Sequence, residues 1–378
     1  MADLVRNLTA ENLPFTRPAI DEATIVSVGE VLRSGWLTTG SRCAEFEAAL
    51  SIYCGNRPVR LFNSGTITLA IALELINVKP GDEVITTPLT WVACANVIVH
   101  RGARPVFVDI DPTTRNIDLD KITAAITPRT RAIMPVDMAG LPVDRTRLHA
   151  LAAEHQLRVI EDAAQSLGAS WHGQAIGSSF AQGRDFVSFS FHANKNLTTG
   201  EGGCLVLPVD IDPSYVERLR LQGVARSQAG MDVDIAGYKG NLTDIAAAIG
   251  LGQLRRLEEF TARRRYLARM YFDNITATSG LQLPLADFDN CNWHMFQLLL
   301  PPTVQRSAFI ERMSSVGISI GVHYPAINSF SYYRQLGYKP ESTPIAYDVS
   351  ERIVTLPLFP DMQDDNVLRV CRALNDNL

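Results

Sequence analysis

The sequence predicts an α/β protein, with a mostly parallel central sheet in a large first domain and a smaller α+β domain behind it. Three observations carry that prediction. Short apolar runs alternate with helix-periodic segments over the first two thirds of the chain, the pattern of strands joined by crossover helices. Several runs are apolar throughout instead of alternating, as strands covered on both faces are. Near residue 244 the pattern turns into a long helical stretch, then a strand–helix–strand series closed by a last helix. A length of 378 residues accommodates two domains. They are placed at 1–255, with an N-terminal segment over 1–20, and at 256–378.

The elements follow in order. A helix over Glu22–Ser34 stops at Gly35, and further helices fall at Thr66–Ile76 and Val92–Arg101. Strands are expected at Glu83–Thr86, Pro105–Val108, Arg131–Val136, Arg158–Glu161, Phe186–Phe191 and Cys204–Leu207. Asp244 to Asn274 reads as one or two long helices linking the domains. Beyond it come a strand at Trp293–Leu300, a helix at Ser307–Val316, a strand at Ile318–Tyr324 and a helix at Asn366–Leu374.

Composition narrows the function classes. The chain is 46 % hydrophobic and 20 % charged, which supports a sizeable core and excludes disorder. Lys and Arg number 35 against 40 Asp and Glu, for a net charge of −5. That balance argues against a mainly electrostatic binder of nucleic acid or membrane, which carries a basic excess. The six cysteines (43, 54, 94, 204, 291 and 371) form no close pairs, so a CxxC motif or metal knuckle is excluded and scattered reduced thiols are expected. His100, His149, His155, His172 and His294 show no metal-ligand spacing, and no metal is expected. Met1 to Thr16 lacks the apolar core of a signal peptide, and no apolar run approaches the roughly 20 residues of a membrane helix. The expected location is cytoplasmic.

Four segments carry chemistry. In Ser188–Gly203 a strand-like alternation, with Ser188 and Ser190 on one side as hydroxyls that suit an anion, runs into Lys195 and a Gly-rich turn. A lysine that attacks a carbonyl must be delivered from a rigid element and partly desolvated, so that its amine is neutral. A lysine before a turn is otherwise a solvated surface charge. Asp162, in Val159-Ile-Glu-Asp162-Ala-Ala-Gln165, ends a predicted strand, where open α/β sheets place their ligands. Asp also caps helices well, and the two readings stand level. Asn63-Ser64-Gly65-Thr66 opens an apolar helix with small residues, whose free N–H groups suit a phosphate or serve an ordinary cap. Trp91 follows the next strand as a stacking partner or a rim aromatic.

One ligand asks for all four. Pyridoxal phosphate needs a Schiff-base lysine, a carboxylate for its ring nitrogen, an anion site and a flat partner. With these residues in this order, the chain resembles the DegT/DnrJ/EryC1/StrS family, sugar-nucleotide aminotransferases of the aspartate-aminotransferase (type I) fold. Within it the likeness is greatest to the UDP-4-amino-4-deoxy-L-arabinose aminotransferases. The matching marks span nearly the whole chain. They are Phe15-Thr-Arg-Pro18, Ser34-Gly-Trp-Leu-Thr-Thr-Gly40, Gly81-Asp-Glu-Val-Ile-Thr-Thr-Pro88, Leu89-Thr-Trp91 and Val159-Ile-Glu-Asp-Ala-Ala164. Phe189-Ser-Phe-His192, Gly237-Tyr-Lys-Gly-Asn-Leu-Thr-Asp244 and Leu356-Pro-Leu-Phe-Pro360 complete them.

The resemblance implies that Lys195 forms the Schiff base and moves the proton, and that Asp162 keeps the ring nitrogen protonated. It gives Gln165 the ring's phenolic oxygen, Trp91 the ring face, and Ser64, Gly65, Thr66 and Ser190 the phosphate. Asn241 matches the residue that relatives send to a neighbouring subunit's phosphate, which implies a homodimer. His323 and Tyr324 fall where relatives approach a sugar nucleotide. The implied reaction moves an amino group from L-glutamate to a 4-keto sugar on a nucleotide, by family likeness UDP, giving a 4-amino sugar and 2-oxoglutarate. Lipopolysaccharide or other surface-polysaccharide biosynthesis is the implied setting, with antibiotic sugars also open. The sequence departs from the arabinose enzymes at Asp137, where those carry His, in a longer Gly177–Arg184 and in a shorter Ala225–Ile235.

Three alternatives are weaker. A dehydratase of the same fold replaces the lysine with histidine, whereas Lys195 is present and His192 lies three residues earlier. A non-catalytic relative would lose the lysine, the acid or the phosphate residues. Gly250-Leu-Gly252 lacks the third glycine of a dinucleotide fingerprint and reads as helix packing.

Overall fold

The computed structural model describes residues 12–180, 183–227 and 230–378. Its helices are α1 (Glu22–Ser34), α2 (Ser41–Tyr53), α3 (Gly65–Leu75), α4 (Ala93–His100), α5 (Leu119–Ala125), α6 (Arg145–Glu154) and α7 (Pro213–Arg220). After them come α8 (Asp244–Arg255), α9 (Leu257–Asn274), α10 (Arg306–Ser315), α11 (Ser331–Gln335), α12 (Pro344–Arg352) and α13 (Asp364–Asn377). The strands are β1 (Val59–Phe62), β2 (Glu83–Thr86), β3 (Arg104–Phe107), β4 (Thr130–Met134) and β5 (Arg158–Asp162). The two-residue β6 (Ser170–Trp171) and β7 (Gln174–Ala175) precede β8 (Phe186–Ser190) and β9 (Gly203–Val206). An outlying hairpin pairs β10 (Val224–Ser227) with β11 (Gly230–Val233), and β12 (Phe296–Leu299) pairs with β13 (Ile353–Leu356).

Seven strands form one sheet in the order β1-β9-β8-β5-β4-β2-β3. β9 runs antiparallel to both its neighbours and the remaining pairs are parallel. Neighbouring residues on one strand serve different cores. Ile160 and Met134 pack with Leu69, Ile71 and Val97 under α3 and α4. Val159 and Ile133 pack with Leu148 and Ala152 under α6. Both faces are therefore covered here, which is why Ile133 and Met134, and Val159 and Ile160, are apolar side by side instead of alternating with polar residues. Over β1, β8 and β9, Phe46 and Leu50 of α2 cover the second face.

Local signals set the helix ends. The Asp21 carboxylate accepts the Thr24 N–H at 2.8 Å, and Gly35 closes α1 at φ 73°. Arg256 separates α8 from α9. Past that break a separate apolar cluster gathers Leu267 and Tyr271 of α9, Phe296 of β12, Phe309 of α10, Val354 of β13 and Leu374 of α13.

The expected strand at Ile318–Tyr324 does not form. Its backbone pairs singly at Ile318, with Leu13, and at Gly321, with Thr355. β12 pairs instead with β13, a strand the sequence pattern did not single out. The segment is irregular because its side chains are drawn to different places. Ile318 enters the C-terminal core, His323 stacks on Phe15 at 4.9 Å, and Tyr324 faces a cavity at the edge of the seven-stranded sheet. α2, α6 and β1 also went unread in the sequence.

Among the described residues no helix is long and apolar enough to cross a membrane. All six cysteines are free and buried. The expectation of no signal peptide falls mainly on residues 1–11, which lie outside the described residues, as do 181–182 and 228–229 within the two segments expected to differ in length.

Candidate active site

A cavity of about 430 Å³ opens at the C-terminal edge of the parallel strands. It sits where such sheets leave a crevice for ligands. One wall is the first turn of α3. Ser64 caps it by accepting the Ile67 N–H at 3.3 Å, and Gly65 and Thr66 complete the wall. Helix geometry leaves the first N–H groups of that turn without intrahelical partners, and the helix dipole is positive there. Gly65 is required by space: a Cβ at this position would lie 2.9 Å from the Ser190 Cβ. Ser190, at the end of β8, borders the same wall.

Asp162 ends β5 and faces the cavity, and Gln165 follows it. Burial raises the Asp162 pKa. A thiol hydrogen bond from Cys94 at 2.7 Å, the Ala164 N–H at 3.1 Å and the Lys195 charge oppose that rise. Gln165 is fixed at one end, its Oε1 accepting the Ala139 N–H at 2.7 Å. Its amide nitrogen is thereby turned toward the cavity, 3.4 Å from the Tyr324 hydroxyl. Asp137 packs against the same loop through Ser166. It accepts the Val143 N–H at 3.0 Å and the Ser166 hydroxyl at 2.6 Å, and burial pushes its pKa up to about 7.

Lys195 follows β8 on the turn of Gly-rich chain and lines the cavity. Burial lowers its pKa to about 8, against the pull of Asp162. Its ammonium makes no hydrogen bond to any described residue. An amine with a depressed pKa and no partner is available as a nucleophile and as a base near neutral pH.

Trp91 stands at the mouth, 60 % exposed, its ring 6.0 Å from that of Tyr324. Tyr324 and His323 line the cavity as well. Burial raises the Tyr324 pKa, and burial with the nearby Lys195 charge lowers His323 to about 4. The cavity thus gathers ten of the eleven residues expected from the sequence. Asn241 is the exception. It lies outside, donating from Nδ2 to the Thr39 hydroxyl at 2.8 Å and accepting from Lys239.

Ser188, read with Ser190 as an anion donor, is withdrawn: its hydroxyl is spent on Thr68 and on the Gly65 carbonyl under α3. Sequence reasoning also missed lining residues. Thr90, His192 and Glu201 border the cavity, and Cys94 supports its floor. Glu201 in the Gly-rich turn was within reach of sequence pattern, whereas nothing in the sequence links Cys94 to Asp162, 68 residues away.

The only set of described His, Cys, Asp and Glu side chains that could hold a metal ion is His149, Glu161 and Asp185, behind the sheet. Arg145 binds Glu161 and Arg57 binds Asp185 at 2.9 Å. Two guanidiniums already balance the two carboxylates, so the cluster has no deficit of positive charge.

The donor set suits a phosphorylated pyridine aldehyde: a helix N-terminus and a hydroxyl for the anion, an unpartnered amine, and a buried acid across the cavity. Fold and pocket place the protein among the pyridoxal-phosphate-dependent aminotransferases. The chain belongs to the DegT/DnrJ/EryC1/StrS aminotransferase family, whose sequence pattern matches residues 18–375. It is 38 % identical over 379 residues to the spore coat polysaccharide biosynthesis protein SpsC of Bacillus subtilis, covering 96 % of each chain. It is 36 % identical over 389 residues to the UDP-4-amino-4-deoxy-L-arabinose–oxoglutarate aminotransferase of Shewanella sediminis, covering 98 % of this chain and 99 % of that one. Among solved structures it resembles the PMP form of a sugar aminotransferase (Spr1654) described as putative, from Streptococcus pneumoniae. The TM-score there is 0.91 at 33 % identity over 97 % of both chains. The same protein is also known in a PLP form. The cofactor of this family is pyridoxal 5′-phosphate.

Proposed function

We propose that this enzyme transfers the amino group of L-glutamate to the 4-keto carbon of a UDP-linked sugar, giving a 4-amino sugar nucleotide and 2-oxoglutarate. The observation that carries the reading is the pairing of Lys195 and Asp162 in one cavity beneath the N-terminus of α3. The name of the Shewanella relative supports the donor and the sugar nucleotide, and that of the Bacillus relative supports a role in surface-polysaccharide synthesis.

Each residue has a task that its surroundings permit. Ser64, Gly65, Thr66 and Ser190 hold the phosphate at the helix N-terminus, where dipole and N–H groups favour an anion. Trp91 covers the ring face. Asp162 keeps a proton on the ring nitrogen, and Gln165 donates from its free amide nitrogen to the ring oxygen. Bound pyridoxal phosphate supplies an electron sink for the carbanion left at the reacting carbon. Lys195 takes the proton from the donor's α-carbon and returns one to the sugar's carbon 4, which its lowered pKa of about 8 makes efficient near neutral pH. His323 and Tyr324 receive the sugar nucleotide at the mouth.

A second copy of the chain completes the site. Ile25, Val26 and Leu32 of α1, with Trp36 and Leu37 beyond it, expose a broad apolar face, and isolated monomers rarely leave one uncovered. Thr39 and Asn241 lie at its edge, so the face that buries α1 carries Asn241 toward the neighbour's phosphate. The division into a cofactor-binding domain at 1–255 and a small domain at 256–378 belongs to this reading.

The test is a visible absorption spectrum of the loaded protein before and after L-glutamate, beside Lys195→Ala. Glutamate should bleach the wild-type band, a UDP-4-keto sugar should restore it, and the variant should lack it. A band that glutamate leaves unchanged would overturn the donor and the reaction class together.

A further inference from the structure

We propose that Cys94 is a positioning residue for Asp162, its S–H donating to Oδ2 and fixing the carboxylate that faces the cavity. The inference rests on the role proposed for Asp162. Cys94 lies in the first turn of α4, fully buried, with Sγ 2.7 Å from Asp162 Oδ2. The other carboxylate oxygen accepts the Ala164 N–H at 3.1 Å. These two bonds come from different elements, α4 and the loop after β5, so together they set the plane of the carboxylate.

The thiol must remain protonated to donate. Burial, and after it the Asp162 charge, raise the Cys94 pKa well above its ordinary value. The groups facing Asp162 are Cys94 from α4, Lys195 from the turn after β8 and Tyr324 from the C-terminal segment. Of these, Cys94 alone hydrogen-bonds the carboxylate. A thiol is a weaker donor than a hydroxyl. It therefore holds the carboxylate in place while withdrawing little charge, and leaves it basic enough to retain a proton on a ring nitrogen.

The experiment has two arms, with Cys94→Ala and Cys94→Ser in parallel. In cofactor-free protein, infrared spectroscopy reads the S–H stretch, and the wild-type minus Cys94→Ala difference isolates the Cys94 band. That band should lie below those of the other five cysteines and move up in Asp162→Ala. The carboxyl stretch of Asp162 should titrate at higher pH in Cys94→Ala, because a donor to a carboxylate favours its charged form. Cys94→Ser should return the midpoint to the wild-type value or below it. In loaded enzyme, Cys94→Ala should lower kcat about tenfold with KM within about twofold, and Cys94→Ser should recover most of the loss. An unshifted Cys94 S–H band, or an Asp162 midpoint equal in all three proteins, overturns the proposal. The infrared arm needs no cofactor, so its failure is separable from failure of the glutamate-dependent band.

Discussion

Glu161 and Asp162 are adjacent carboxylates on one strand, both almost fully buried, and they have opposite fates. Alternation along β5 sends them to opposite faces of the sheet. Glu161 meets Arg145 and the His149 ring at 3.1 Å, in a network that continues through Asp185 to Arg57. Asp162 meets a neutral thiol and one backbone N–H, with the lysine it faces left unbonded. One carboxylate is compensated by fixed cations and is thereby spent on structure. The other is left under-compensated beside an open cavity, with its pKa raised by burial. Buried charge without a full complement of partners is costly, and it persists where a ligand supplies the rest.

Substitution at the two positions should separate these roles, with the largest effects of the set. Glu161→Ala removes the carboxylate that Arg145 and His149 share and should cost about 3–5 kcal/mol of stability by urea unfolding, with kcat of the folded fraction within about twofold of wild type. Asp162→Ala should leave stability within about 1 kcal/mol but lower kcat at least about 10²-fold, because it removes the group proposed to hold the ring proton. Equal losses of stability at both sites would break the comparison.

A smaller effect sharpens it through pH. In the cofactor-free protein Lys195 titrates near 8, below its unfolded value of about 10.4. Between those values the unfolded chain binds more protons, so the Lys195 contribution to stability rises with pH. It is complete above the unfolded pKa and is lost as pH falls through about 8. Melting temperatures of wild type and Lys195→Met across that window should diverge toward low pH, with the variant the more stable. Parallel curves would mean that Lys195 is solvated after all.

Asn241→Ala should give the smallest change, about a tenfold loss of cofactor affinity from one missing hydrogen bond to an anion. Titration of the visible band with pyridoxal phosphate reads it. Unchanged affinity would mean that the bond to Thr39 is the residue's whole function.

Much of this was legible in the chain. Asp21 and Gly35 mark both ends of α1 because cap chemistry is local. The consecutive apolar residues Ala132, Ile133 and Met134 of β4 and Val159 and Ile160 of β5 announce a sheet covered on both sides. Asp162, Lys195 and the Ser64–Thr66 turn were visible because each sits at the end of a strand, in the turn after one or at the start of a helix, where sequence punctuation is strongest. β13 and the irregular course of Ile318–Tyr324 were not, since one edge of β12 can be filled by either segment and only packing chooses. Ser188 and Ser190 look equivalent in sequence, yet α3 lies over the first and leaves the second at the cavity.

The sequence by itself determined the alternation of elements, the caps and the order in which the Ser64–Thr66 turn, Asp162 and Lys195 occur, because these depend on neighbours within a few residues. Tertiary structure alone decided which of two adjacent carboxylates is compensated, that Cys94 lies beneath Asp162, and that Asn241 stays outside the cavity its own chain builds. Those outcomes rest on contacts between distant segments, where burial and charge balance are set by what the fold happens to bring alongside.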